Sequence, residues 1–450
     1  MTTSIFKAYD VRGVYPTELD ESMAFAIGVA FGETLRARNG SHAIVGRDAR
    51  LSSPELARAI SEGIRSCGIR VSDIGLCTTP MVYFAVNALA ASGGAMVTAS
   101  HNPPEYNGFK FVREHAIPIG SGSGLEDIRD AVSQRGPIQV QRRPRRGLEQ
   151  RSVLDAYVRY YVERFSGIRA PSLVIDAGNG AVGAVLPAIL DSLGIGCERL
   201  YFEPDGRFPH HGADPLKDQN VADLRNALAN HSGSIGVAFD GDGDRVAFLD
   251  EEGERIGGDL ATALIAQYML CESGPNRVVY DVRSSRVVPE TVVGSGGTPI
   301  RMRVGHVFMK HCMRENEALF GGELSSHHYF REFFYCDNGI LAMLHLVRLL
   351  EKTRQTLRQA VAPLRKYCQS GELNYRVRSN DSCLRAVAQA FSDGAQDTLD
   401  GLSVTYRDWW FNLRASNTEP LVRLNVEAAD PDMLRQKTRL VQEVIAAQTP

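Results

Sequence analysis

Three times along this 450-residue chain an apolar run ends in aspartate, passes through a small-residue turn, enters a helix-period stretch and closes on glycine. The first copy is Ala43-Ile44-Val45-Gly46-Arg47-Asp48, a serine-containing turn, a helical pattern over 54–66 and Gly68-Ile69-Arg70-Val71. The second is Leu173-Val174-Ile175-Asp176, the turn Ala177-Gly178-Asn179-Gly180, a helical pattern to Leu193 and Gly194-Ile195. The third is Val278-Val279-Tyr280-Asp281, a turn at Ser284-Ser285, a shorter pattern and Gly296-Gly297. From aspartate to closing glycine the spacings are 20, 18 and 16 residues. Strand, turn, helix and returning strand at that length make a βαβ unit, whose right-handed crossover implies a parallel or mixed sheet. The expectation is three related mixed α/β domains.

Breaks in composition divide the chain further. The basic, proline-containing stretch Gln141-Arg142-Arg143-Pro144-Arg145-Arg146-Gly147 reads as a solvated linker, because no basic excess elsewhere would support a nucleic-acid patch. Further breaks fall at Glu251-Glu252-Gly253-Glu254 and Ser370-Gly371. The expected domains are 1–147, 148–252, 253–367 and 368–450, the last a smaller α+β domain without the repeat. Fifty Lys and Arg against 53 Asp and Glu leave a net charge of −3, so no global field favours nucleic acid or a membrane surface. The eight cysteines form no C-x-x-C pair and no zinc spacing, and most read as buried small hydrophobes in a reducing compartment. With no apolar 18-residue stretch and a charged N-terminal segment, the expectation is a cytoplasmic protein, in which the sequons at Asn39, Asn230 and Asn380 are chance matches.

Four segments carry chemistry. Thr98-Ala99-Ser100-His101-Asn102-Pro103-Pro104-Glu105-Tyr106-Asn107-Gly108-Phe109-Lys110 follows the strand-like Gly94-Ala95-Met96-Val97, and its prolines, Asn and Gly make it a shaped loop presenting Ser100 and His101. A Ser/His acyl-transfer site is disfavoured, since neighbours in an extended loop point apart and no G-x-S-x-G elbow is present. Ser100 as a phosphoryl nucleophile or carrier is the better reading. In Phe239-Asp240-Gly241-Asp242-Gly243-Asp244-Arg245, three carboxylates at alternating positions can converge on one hard cation such as Mg2+. A calcium loop is excluded by Arg245 at the sixth position, where glycine is needed, and by a strand rather than a helix in front. Gly321-Gly322-Glu323-Leu324-Ser325-Ser326-His327-His328 offers an acceptor, hydroxyls and imidazoles suited to sugar hydroxyls. Arg414-Ala415-Ser416-Asn417-Thr418-Glu419-Pro420-Leu421-Val422-Arg423 offers the donors a phosphate dianion takes. The early segment Ala8-Tyr9-Asp10-Val11-Arg12-Gly13 adds another loop arginine.

Together with Lys7-Ala8-Tyr9-Asp10-Val11-Arg12-Gly13, these segments resemble, in order and spacing, the α-D-phosphohexomutase superfamily of phosphomannomutases and phosphoglucomutases, over essentially the whole chain. The resemblance implies four domains around a central active-site cleft, each giving one loop. It makes Ser100 the phosphoserine, with His101 beside it, and has Ser100, Asp240, Asp242 and Asp244 hold Mg2+. Arg245 would steady the transferring group. Lys110, Arg12, His327 and His306 (in Val304-Gly305-His306) are the candidates for moving the sugar hydroxyl's proton, unranked. Tyr9, Arg283, Glu323, Ser325 and His327 would meet the sugar phosphate, and Arg414, Ser416, Asn417, Thr418 and Arg423 would grip its phosphate. Arg283 stands where relatives often carry Lys. The reaction implied interconverts mannose 6-phosphate and mannose 1-phosphate through a hexose 1,6-bisphosphate that also serves as activator. Ser326 and Leu324, where Gly and Met are common, leave glucose phosphates open as second or even main substrates. The other readings are a sugar-phosphate phosphatase and a non-catalytic sugar-phosphate-binding relative. Partners are expected to be small hexose phosphates, with neither nucleic acid nor membrane, on a monomer or weak dimer.

Overall fold

A computed structural model describes residues 3–135, 147–415 and 421–449. The chain forms two compact units, Met1–Gly257 with Ser325–Arg358, and Gly258–Leu324 with Gln359–Pro450. In the first unit one sheet runs in the order Val11–Val14, Tyr106–Arg113, Gly93–Val97, His42–Arg47, Arg70–Leu76, Leu148–Gln150, with Pro118–Ile119 beside Tyr106–Arg113. His42–Arg47 is parallel to both neighbours, whereas Tyr106–Arg113 is antiparallel to both Gly93–Val97 and Val11–Val14. The strand Gly93–Val97 is buried throughout, the signature of a strand covered on both faces. The helices Glu21–Ala37 and Ser53–Ser66 cross almost backbone to backbone. A β-carbon on Gly28 would lie 2.3 Å from Ile60 O and one on Gly63 2.3 Å from Phe25 O, so both positions require glycine.

The second sheet of this unit runs Arg255–Ile256, Val246–Leu249, Ile235–Phe239, Leu173–Asp176, Glu198–Leu200. Its central pair, Ile235–Phe239 and Leu173–Asp176, is parallel, and Val246–Leu249 is antiparallel to it. An aromatic cluster of Phe84, Tyr157, Tyr160, Tyr161 and Phe333 ties this half to the first sheet's helix Thr79–Ala88.

In the second unit, Arg277–Asp281 is parallel to both Thr298–Met302 and Phe320–Gly322. The chain then builds an antiparallel sheet, Cys368–Gln369, Leu421–Ala428, Trp409–Ala415, Leu402–Thr405, Ala395–Asp397, with Leu373–Arg376 also on Leu421–Ala428. The helices Asn380–Ala390 and Pro431–Ala446 supply Cys383, Val387, Val441 and Ile445 to its core, with Trp409 and Phe411.

All three sequence repeats are βαβ units, with parallel strands flanking the helices Ser53–Ser66, Val182–Leu193 and Val287–Gly294. The aspartate that marks each repeat caps its own turn. Asp48, Asp176 and Asp281 accept from the amides of Arg50 (3.0 Å), Gly178 (2.8 Å) and Arg283 (2.8 Å), each two residues on. Three residues expected on loops lie on strands instead: Arg12 on Val11–Val14, Lys110 on Tyr106–Arg113 and Arg414 on Trp409–Ala415. Cys67, Cys77, Cys312, Cys336 and Cys383 are buried thiols. Among the described residues no helix is long and apolar enough to cross a membrane.

Candidate active site

The strand Gly93–Val97 runs into Thr98, Ala99 and Ser100, and Ser100 takes a left-handed backbone, φ +50°. Only 1% of Ser100 is exposed. Its amide donates to Thr98 Oγ1 (2.8 Å), and its Oγ donates to Asp240 Oδ2 (2.8 Å), with His101 Nδ1 3.3 Å away. Arg12 pairs with Asp10 and donates to Asn102 Oδ1 in the same loop. Burial, then the charges of Arg245, Arg12, His327 and Lys110, hold His101 well below the usual imidazole range, so it stands neutral beside the serine.

The carboxylates arrive from the tight turn after Ile235–Phe239. A β-carbon at Gly241 would sit 2.6 Å from Ser100 O, so glycine between the aspartates is what lets the two loops abut. Asp240 Oδ1 caps the turn through the amides of Gly243 (3.0 Å) and Arg245 (3.2 Å). Asp242 Oδ2 accepts from Thr79 Oγ1 (2.6 Å) and Lys110 Nζ (2.7 Å), and Lys110 Nζ also reaches Asp244 Oδ2 (2.5 Å). A backbone bridge between Arg245 and His327 brings His327 Nε2 to 3.5 Å from Asp244 Oδ1. Arg245 Nε lies 3.7 Å from Asp240 Oδ2, and Ser325 Oγ 3.0 Å from His327 Nδ1.

Burial, then Asp244 and Asp242, raises Asp240 well above the carboxylate range. Burial would do the same to Asp244, but Lys110, His327 and Arg245 hold it well below. Burial works against the Lys110 ammonium, yet Asp242 and Asp244 outweigh it and bind its proton more tightly than in free lysine. The donor atoms of Asp240, Asp242 and Asp244 lie within 4.8 Å of one another, and a second such group joins Asp244 to His327 and Asp337. Asp242 Oδ1 is buried with no hydrogen-bond donor. Three hard oxygen ligands, one of them lacking a donor, fit a divalent cation of the Mg2+ kind, with Lys110 supplying positive charge among the same oxygens.

In the second unit Arg283 Nη2 pairs with Asp281 Oδ2 (2.6 Å) and lies 3.9 Å from Glu323, and Nη1 is 3.8 Å from Glu372. Arg414 and Arg423 face each other across paired strands and both meet Glu372, at 3.1 and 3.5 Å. Glu323 Oε1 accepts from Gly305 N (2.9 Å), fixing the turn that opens His306–Glu315, where His306 Nδ1 lies 3.4 Å from Lys310. Asp281 and Glu323 overcome burial and raise Arg283, whereas burial and then Arg283 itself lower Arg414. Tyr9 is half-buried in the turn before Val11–Val14. Ser416, Asn417 and Thr418 lie outside the described residues. Sequence reasoning missed Thr79, Arg50 and Glu372. Arg50 stands two residues past a repeat aspartate, and Glu372 in a stretch read as a domain break.

A buried serine facing three carboxylates, a charged lysine and arginines, carried on βαβ repeats, is the equipment of a metal-assisted phosphoryl-transfer enzyme. The chain belongs to the phosphoglucomutase/phosphomannomutase family. It matches the family's alpha/beta/alpha domain I over residues 3–136, domain II over 155–253, domain III over 257–367 and the C-terminal domain over 372–446. It is similar to the phosphohexose mutases of Xanthomonas campestris pv. campestris (strain B100), 40% identical over 452 residues, covering 99% of this chain and 100% of the relative. It is 39% identical over 445 residues to a phosphomannomutase of Salmonella typhimurium, covering 96% and 97% of the two chains. A crystal structure of a phosphoglucomutase/phosphomannomutase family protein from Burkholderia thailandensis superposes with a TM-score of 0.91 at 33% identity, covering 100% of this chain and 98% of that one.

Proposed function

We propose that this enzyme is a phosphomannomutase that moves a phosphoryl group between O6 and O1 of mannose, takes glucose phosphates as second substrates and works in the cytoplasm. The observation that carries the reading is Ser100 Oγ, 2.8 Å from Asp240 inside a buried three-carboxylate group. Relatives of nearly the same length named phosphomannomutase support the choice of sugar. Asp240, Asp242 and Asp244 would hold Mg2+ together with phospho-Ser100, and the cation would supply positive charge to the transferring group.

The phosphorus–Oγ bond of phospho-Ser100 breaks as a bond forms to a hydroxyl oxygen of hexose 6-phosphate or 1-phosphate, and the hydroxyl proton leaves to a base. The product is a hexose 1,6-bisphosphate, which turns over and returns its other phosphoryl group to Ser100. Arg245, Arg12 and Lys110 offer charge to the phosphoryl oxygens. A guanidinium does not give up its proton at any working pH, and Asp242 and Asp244 hold the Lys110 proton more tightly than free lysine holds it, which leaves His327 and His306 to move the hydroxyl proton. Glu323 and Ser325 take sugar hydroxyls. Arg414 and Arg423, with Ser416, Asn417 and Thr418, grip the phosphate that is not transferred.

The test is mannose 1-phosphate turnover with Mg2+ and a trace of the 1,6-bisphosphate, wild type beside Ser100→Ala, with inorganic phosphate followed in parallel. Loss of isomerisation in the variant is expected, and an unchanged rate overturns the mechanism. Phosphate release in place of isomerisation would identify a phosphatase. A kcat/KM for glucosamine phosphate equal to that for mannose phosphate would overturn the sugar assignment.

A further inference from the structure

Arg50 is a fully buried charged side chain, 1% exposed, in the turn between the first repeat's opening strand and its helix. Its Nε donates to Asp48 Oδ2 (3.1 Å). Nη1 donates to the carbonyls of Pro103 (2.5 Å) and Tyr106 (2.9 Å), and Nη2 to those of Ser100 (2.8 Å) and Asn102 (2.6 Å). All five N–H donors of the guanidinium are thereby engaged, four of them on the backbone of the serine loop. A residue with a β-carbon holds a left-handed backbone like that of Ser100 only where its surroundings over-determine it.

Asp48 supplies both sides of that restraint. Its Oδ2 accepts from Thr98 Oγ1 (2.7 Å), which in turn accepts from the Ser100 amide (2.8 Å). The same carboxylate orients Arg50, which holds the Ser100 carbonyl. Asp48 Oδ1 is occupied by Ser53 Oγ (2.5 Å) and the Arg50 amide (3.0 Å), so the carboxylate has no freedom to turn. The ring of Phe208, 5.2 Å from the guanidinium, covers it, and Gly206 lets that loop close on Ala49 and Arg50. The third repeat has an arginine at the corresponding place, Arg283, but that side chain reaches Glu323 and Glu372 rather than backbone carbonyls. The turn alone therefore does not demand what Arg50 does.

We infer that Arg50, held by Asp48, is a positioning residue that fixes the left-handed turn at Ser100 and so aims the serine oxygen at Asp240. The inference rests on Ser100 being the phosphoryl carrier. The decisive variant is Arg50→Lys, which keeps a cation opposite Asp48 but cannot span four carbonyls. Thr98→Val, nearly isosteric, breaks the other arm and carries the same measurements where Arg50→Lys does not fold.

Kinetics on mannose 1-phosphate and hydrogen exchange on the whole protein are read together. Per folded molecule, kcat falls on the order of 10²-fold, the scale of a misplaced reacting group, while KM changes by less than about twofold. Amide exchange accelerates over 98–106 and not across the core strands. A folded variant with wild-type kcat, or with unchanged exchange over 98–106, overturns the inference. Ser100→Ala run alongside separates the two readings. Turnover by that variant removes the serine mechanism, whereas the exchange comparison still judges the brace.

Discussion

Lys110→Met removes the ammonium that lies between Asp242 and Asp244 while keeping a long apolar stem on the strand Tyr106–Arg113. At 2.7 and 2.5 Å and an effective dielectric of ~20, each attraction has a gross size of about 6 kcal/mol. Desolvating the ammonium opposes several kcal/mol of this, and breaking a buried pair typically costs about 3–5 kcal/mol net. At roughly 2–4 °C per kcal/mol for a domain of a few hundred residues, the metal-free variant melts on the order of 10 °C lower. Two further consequences distinguish this account from a simple packing defect. Mg2+ stabilises the variant more than the wild type, because the cation no longer competes with Lys110 for the same oxygens. The deficit also shrinks on acidification. Asp240 sits above its unfolded value, so it binds its proton at a pH where an unfolded aspartate has lost it, and the protonated site carries less uncompensated charge. The assay is thermal unfolding of both proteins in chelator and across a Mg2+ titration, at neutral and at mildly acidic pH. A melting temperature in chelator within about 2 °C of wild type, or equal Mg2+ shifts in the two proteins, refutes the reasoning.

Gly63→Ala drives a methyl group to 2.3 Å from Phe25 O. It should destabilise by at least the ~1–3 kcal/mol of an overpacked core, seen as a lower denaturant midpoint with the kinetics per folded molecule intact. Arg414→Ala removes a charged donor pairing with Glu372 and should raise KM for hexose phosphates about tenfold or more, with a smaller effect on kcat. His211 is partly buried, which alone would lower its pKa, but its bond to Asp176 at 3.0 Å raises it. A raised folded pKa gives stability that is complete below the unfolded value, ~6.5, and is lost as pH rises through the folded one. The melting-temperature gap between wild type and His211→Gln should therefore be widest in mild acid and narrow toward alkaline pH.

The repeats could be read because each couples an apolar, largely buried strand to a turn marked by an aspartate and small residues, and the signal is local. Ser100 and the three aspartates were readable for the same reason, each lying in one short run of unusual residues. What locality hides is the pairing. Ser100 and Asp240 are 140 residues apart, and no periodicity says that Gly241 packs on the serine's carbonyl. Arg12 and Lys110 were picked out as charges but expected on loops, because Val-Arg-Gly-Val and Tyr-Asn-Gly-Phe-Lys-Phe-Val-Arg mix glycine, polar and charged residues as loops do. Pairing partners, not propensity, make them strands, with Arg12 opposite Gly108 and Lys110 opposite Met96. Arg50 escaped because a charge next to a turn normally reads as solvated, and only burial by distant segments gives it work, whereas Glu372 stays exposed and is singled out only by the arginines that distant strands and turns bring to it. The net charge of −3 is silent about cations held inside.

The three repeat aspartates show how one turn can serve three tasks. In every copy one carboxylate oxygen is used by the turn itself, accepting the amide two residues on. The second oxygen is left over, and it meets a different neighbour each time. Asp48 Oδ2 takes Thr98 and Arg50, the supports of the serine loop. Asp176 Oδ2 takes His211. Asp281 Oδ2 takes Arg283 and the amide of Leu324, next to Glu323. The element that makes the fold repeat is thus half structural, and its other half anchors loops with distinct chemistry. Asparagine at any of the three positions retains the turn's acceptor but sets an N–H2 donor against a guanidinium, an imidazole or an amide. A change of one atom would then leave the strand–turn–helix in place and unfasten the loop it holds.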